Sequence, residues 1–226
     1  MQIRNESLLK TNIKRILCLI LSFLAASGLL AYSDDQSWLN NSLHITLKPK
    51  LTLIFTHEFR NEELTFMSPY LANIQGGFEY SLSENTHITL LYKRQNTKKT
   101  DYILNENRYT LEAGWKRGLG PKVNFDLRFR TEGRVYEDGR ANNHFRLRLR
   151  LRFTAKVEFG NLSIRPFIAI EPFGDTLTNS VNQNRFYIGA SFPLGQHSAF
   201  VLNYIRQDIK NKETIHILNS GFQLKF

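Results

Sequence analysis

The stretch "NNHFRLRLRLRFTAKVEFG", residues 142–160, sets Arg146, Arg148, Arg150 and Arg152 at every second position, between Phe145, Leu147, Leu149, Leu151 and Phe153. A guanidinium stays charged at any physiological pH, and its fork of N–H donors matches carboxylates and phosphates. The chemistry open to this run is therefore the pairing, binding or passage of anions. A spacing of two puts all four arginines on one face of a β-strand and leaves the other face apolar. Three settings accept such a strand. A soluble sandwich would turn the arginines to water. A nucleic-acid-binding sheet would suit the formal net charge of +10. A membrane barrel would turn the apolar face to lipid and the arginines into the lumen.

The two ends of the chain favour the membrane. Lys10, Lys14 and Arg15 precede an apolar run over residues 16–31, and Ala31, Tyr32 and Ser33 fit a small-x-small cleavage site. Residues 1–33 are expected to be a cleaved signal peptide and residues 34–226 the barrel domain; an uncleaved transmembrane anchor is the other reading of that run. Cys18 is the single cysteine and falls inside the signal, so neither a disulfide framework nor a cysteine-ligated metal is expected. Export also removes nucleic acid as a partner. At the other end, Leu218, Phe222, Leu224 and Phe226 alternate on one strand face. A terminal phenylalanine so placed is similar to the signal by which outer-membrane barrels are recognised by their assembly machinery.

Between the ends, period two recurs and no helical periodicity does. Strands are expected over residues 43–60, 70–82, 86–95, 106–117, 122–136, the arginine strand, 163–173, 185–194, 198–207 and 214–226. That is an all-β, antiparallel barrel of about ten strands if the segment around Pro49 is one strand, with twelve as the alternative. Short connections (83–85, 118–121, 158–161, 195–197) alternate with longer polar ones, which a barrel with periplasmic turns and outer loops produces and a sandwich does not. Both termini are then expected on the periplasmic side. Tyr80, Trp115, Phe125, Phe192, Phe200 and Phe226 fall toward the short turns; Tyr70, Tyr92, Tyr109, Phe145, Phe186 and Tyr204 fall toward the loops. Two aromatic girdles are what two membrane interfaces call for.

The lumen is expected to hold Arg128, Arg130 and Arg134 from residues 122–136, facing Arg146, Arg148, Arg150 and Arg152. Hairpin pairing across residues 137–143 would oppose Arg134 with Arg146, Glu132 with Arg148, Arg130 with Arg150 and Arg128 with Arg152, with a possible slip of two. Glu112 falls near Arg128, Glu171 near Arg148, and Arg185 near Glu171. Like charges facing one another repel, so Glu112, Glu132 and Glu171 serve as counter-charges that cancel part of the ladder. Two functions follow. A narrow anion-selective porin would use the arginines to draw small anionic solutes. A closed barrel would use the same groups as a structural Arg/Glu plug and serve an envelope or surface-binding role.

Trp38, "HEFR" (57–60), "NENRYTLEAGW" (105–115), "HFRLRLRLRF" (144–153), "IRPFIAIEPF" (164–173), "NRFYIGASFPL" (184–194) and "HILNSGFQLKF" (216–226) run in order along the chain. Together they resemble the outer-membrane family known as domain of unknown function 2490. The resemblance implies an outer-membrane barrel and brings no activity with it. The facing arginine tracks also resemble those of the monomeric porins for acidic oligosaccharides. An outer-membrane enzyme is the third reading and the weakest. The histidines, His44, His57, His87, His144, His197 and His216, are scattered without ligand spacing and without the serine and asparagine spacing of barrel phospholipases. No catalytic residue, cofactor or metal is therefore expected. Outer-membrane lipid and lipopolysaccharide are the expected surroundings, the latter within reach of the lysines in residues 96–101.

Overall fold

Alternation makes the elements, and turns of special geometry separate them. The computed structural model describes residues 35–62, 69–160 and 162–226; the expected signal peptide, residues 1–33, lies outside them. Twelve strands follow in order: β1 (Gln36–Lys48), β2 (Leu51–Asn61), β3 (Pro69–Ser81), β4 (Thr86–Lys98), β5 (Ile103–Gly118), β6 (Val123–Tyr136), β7 (His144–Ala155), β8 (Val157–Phe159), β9 (Leu162–Asp175), β10 (Ser180–Pro193), β11 (Ser198–Ile209) and β12 (Ile215–Lys225). All but β8 form a closed wall in which β7 pairs with β9, β9 with β10, and β12 with β1. β8 resumes the line of β7 after Lys156 and pairs only with the start of β9, as a short hairpin that turns at Gly160, φ 59°.

The wall thus has one strand more than the ten read from the sequence. Pro49 is the reason. The chain reverses at Pro49 and Lys50, and Lys48 pairs with Leu51 across the turn. Proline lacks the N–H a continuous strand would use, and its fixed φ suits a turn. Splitting that segment makes the strand number odd, so β12 and β1 run parallel, Gln36 beside Ile217 and His44 beside Lys225. The expectation that both ends of the barrel chain lie on one side is therefore corrected. β1 begins at the long-loop end, and β12 finishes at the short-turn end.

The faces are inverted relative to a water-soluble protein. Ile74, Leu90, Phe145 and Ile168 are 65%, 61%, 62% and 57% exposed, whereas Glu132 and Glu171 are 1% and 0% exposed. Water does not favour a continuous apolar exterior around a charged interior at that scale; a lipid-embedded barrel combines an apolar exterior with a polar interior. Aromatic rings gather toward the turn end, with Phe125 between Trp115 and Phe153 (5.9 and 5.0 Å) and Phe200 between Phe192 and Phe222 (6.3 and 5.3 Å). Tyr92 and Tyr109 meet at 5.5 Å toward the loops. Above them, hydrogen bonds from Arg94 and then Asn107 hold Glu137, in the loop after β6, and bring its carboxyl down to about 2.

The β6–β7 register differs from the expected pairing by two residues. Arg134 opposes His144, Glu132 opposes Arg146, Arg130 opposes Arg148, Arg128 opposes Arg150, and Asp126 opposes Arg152. The loop closes tighter because a 3-10 turn at Glu137–Gly139 compacts it and the Asn143 side chain accepts from the Tyr136 N–H at 2.8 Å. That places Asp126 beside the ladder and takes Glu132 away from the position opposite Arg148.

Candidate functional site

Strand alternation delivers the expected arginines to one lumen wall, β5 to β10, together with more carboxylates than the sequence reading placed there. Arg148 donates to Glu132 at 2.8 Å and to Glu171 at 2.9 Å. Arg128 donates to Glu171 at 2.7 Å and lies 3.7 Å from Glu112. Arg130 donates to Glu112 at 2.8 Å and lies 3.5 Å from Glu132. Glu171 takes a third donor, the Tyr187 hydroxyl, at 2.6 Å. The three expected counter-charges are thus shared between neighbouring arginines. In a medium of low dielectric, an anion bridging two cations also offsets their mutual repulsion.

Four further acids were missed. Arg134 grips both oxygens of Glu106 at 2.7 Å, and Arg108 shares that carboxylate at 2.8 Å. Arg146 reaches Asp175 at 3.3 Å, where His144 also lies at 3.2 Å. Arg150 reaches Asp126 at 3.2 Å. On the opposite wall, Glu58 accepts from Arg60 at 2.7 Å, with Asn40 and Asn73 at 3.1 Å. The signal was present, because Glu58, Glu106, Asp126 and Asp175 all keep inward parity with their strands. It becomes readable only with the register.

Two of the expected arginines have no carboxylate partner within 4.0 Å among the described residues. Arg152 lies over the Phe167 ring at 3.8 Å, and its Nε has no protein acceptor. Arg185 opposes Glu171 in register, as expected, but donates to Gln207 at 2.6 Å and lies between Trp38 (5.0 Å) and Phe173 (4.8 Å). Lys93 is also buried in the lumen. The interior therefore carries more cation than anion.

A cavity of about 770 Å³ occupies the lumen. Exposed Lys99 and Lys212 line its loop end, and Ser42, Gln223 and Arg152 line its deepest part. Arg128, Arg130, Arg148, Arg150 and Arg185 all border it. Among the described residues, Glu79, His87, Lys116 and Lys225, at the turn end, do not. The cavity reaches the exposed Lys99 and Lys212 at the loop end, and its lining toward the turns ends at Ser42, Arg152, Phe167 and Gln223. Among the described residues no group of three or more His, Cys, Asp or Glu side chains is arranged to hold a metal ion.

Phe226 completes the seam. Its N–H donates to the His44 carbonyl at 2.9 Å, its carbonyl accepts from Thr46 at 2.7 Å, and its ring stacks on His197 at 5.4 Å.

The family model described as "Protein of unknown function (DUF2490)" matches residues 35–217. The chain belongs to that family. Two solved structures share the fold of this chain. The beta domain of the Bordetella autotransporter BrkA aligns with a TM-score of 0.52 at 13% identity, covering 78% of this chain and 82% of that one. LpxR from Salmonella typhimurium aligns with a TM-score of 0.50 at 8% identity, covering 77% and 83%. At such identities the likeness is one of fold. No curated protein matches the sequence. This DUF2490 member is an outer-membrane-type β-barrel with buried Arg/Glu ion pairs.

Proposed function

We propose that the protein resides in an outer membrane, short turns inward, and works as a narrow anion-selective porin. The observation that carries this is that Arg152 and Arg185 have no carboxylate partner among the described residues and border a lumen cavity that reaches the exposed Lys99 and Lys212 on the loop side. A fixed uncancelled charge in a confined, poorly screened passage attracts anions and repels cations. Planar-bilayer recording of the refolded protein is expected to give a small conductance with an anion-selective reversal potential in a salt gradient. Replacing Arg152 and Arg185 together with glutamine is expected to move that potential toward cations while the melting temperature stays near wild type. A silent wild-type bilayer would reject the porin.

A silent bilayer would instead favour the closed barrel, for which the shared ion pairs of Arg148 with Glu132 and Glu171 speak. In that reading the lumen network is structural, and the protein serves an envelope or surface-binding role through its loops.

The seam contacts of Phe226 support a role for this residue in delivery to the barrel assembly machinery and in closure. Deleting it removes two backbone hydrogen bonds and the stack on His197. Synthesis and export are expected to continue, with the membrane-assembled, heat-modifiable form reduced severalfold on cold gels. Wild-type levels of that form would remove the role.

A further inference from the structure

Inward parity continues past the cavity to the turn end of the barrel, where the cations Lys116, Arg152, Arg165 and Lys225 outnumber the acids Asp126 and Glu79. Lys116 on β5, Asp126 on β6 and Arg152 on β7 lie in one row of paired residues. Phe167 on β9 lies beneath Arg152, and the next inward residue toward the turns is Arg165, which is exposed. On the opposite wall Lys225 pairs with His44 across the parallel seam. The charges acting on Lys225 are those of Lys116, Arg165 and Arg152, opposed by Glu79. Of the nearby acids, Asp126 accepts from Arg150 at 3.2 Å, and Glu79 lies 3.8 Å from the His87 ring. Among the described residues, no carboxylate lies within 4.0 Å of the charged groups of Lys116, Arg165 and Lys225, nor of Arg152 above them.

We propose that Lys116, Arg152, Arg165 and Lys225 form a binding site for small multivalent oxyanions of the phosphate and pyrophosphate class at the turn-side mouth of the lumen. The cations stand on facing walls, so one monovalent ion cannot neutralise them together. An oxyanion with several charged oxygens can accept from a guanidinium on one wall and an ammonium on the other. The site requires only the solvent-open mouth of the barrel. It therefore stands or falls separately from conduction.

The test is titration of the full refolded chain in detergent with inorganic pyrophosphate, followed by calorimetry. The wild type is expected to bind, with an affinity that falls as salt rises. K116Q/R165Q/K225Q is expected to lose about tenfold or more, equivalent to one lost charge-assisted contact. K50Q/K122Q/K156Q removes the same charge from the exposed surface at the same end and is expected to retain wild-type affinity. R165Q alone alters an exposed side chain, so it tests the site even where the triple variant fails to fold; a loss of roughly threefold is expected. No pyrophosphate binding by the wild type, an unchanged R165Q, or equal losses in the two triple variants would overturn the site. Binding without conductance would sink the porin and leave this site intact. Conductance without pyrophosphate binding would do the opposite.

Discussion

Arg148→Gln is expected to lower the stability of the folded barrel by about 3–5 kcal/mol, the usual cost of removing one partner from a buried ion pair. The guanidinium bridges Glu132 and Glu171, both essentially inaccessible to solvent. Glutamine can satisfy one of them with a neutral donor and leaves the other with less positive charge than its burial demands. Arg128 and Tyr187 still hold Glu171, which argues for the lower end of the range. Arg152→Gln breaks no ion pair and is expected to cost under about 1 kcal/mol. The contrast, read from the temperature of the gel-mobility shift or from urea midpoints, separates the structural arginines from those left to a solute. A cycle of R148Q and E171Q should show a coupling above about 1 kcal/mol. Equal midpoints for R148Q and R152Q would mean that the shared pairs do not hold the lumen wall.

Gly221→Ala is expected to prevent closure of the barrel, the larger effect of the two. A Cβ at that position would stand 1.7 Å from the Asn40 carbonyl oxygen and 2.6 Å from its carbon. Both are backbone atoms of the facing strand and cannot swing aside as a side chain can. The β1–β12 pairing skips this point, running from Leu39 with Ser220 to Ser42 with Gln223, and the Phe222 N–H goes to the Asn41 side chain at 3.0 Å instead. A methyl group would force the strands apart where the ladder is already interrupted. Ser220→Ala, one residue away on the outer face, is expected to assemble normally. Loss of the heat-modifiable band in G221A and its retention in S220A is the expected pattern; a folded G221A band at wild-type temperature would show that the seam can yield.

The barrel was legible because its signal is local. Phe145 to Phe153 alternate with arginines whatever surrounds them, and alternation alone assigns each residue to lipid or lumen. The pairs Arg128 with Glu112 and Arg148 with Glu171 were also within reach, since neither requires the loop after β6 to be known in detail. What escaped depends on geometry between elements. One asparagine cap and a 3-10 turn moved the β6–β7 register by two, which changed the residue facing every arginine on β7, although Arg148 still reaches Glu132 and Glu171. Pro49 was seen as a break, but whether a break becomes a bend or a reversal rests on Lys48 and Leu51 finding each other. Glu58, Glu106, Asp126 and Asp175 look in the sequence like any solvated acid; only neighbouring strands turn them into counter-charges. An arginine track read alone overstates its free charge, because the acids that cancel it lie on other strands.

The parallel seam has a consequence for the order of events in folding. Every other junction in the wall, from β1–β2 round to β11–β12, joins strands that are neighbours in sequence or separated only by the small hairpin of β8. The seam joins residues such as Asn41 and Phe222, 181 positions apart. Loop-closure entropy grows with the logarithm of that separation, and no turn presets the register. A parallel ladder is also slightly weaker per residue than an antiparallel one. The hairpins can therefore zip one after another at little entropic cost, while the seam must wait until both of its strands are presented by an almost finished wall. It is expected to be the last contact to form.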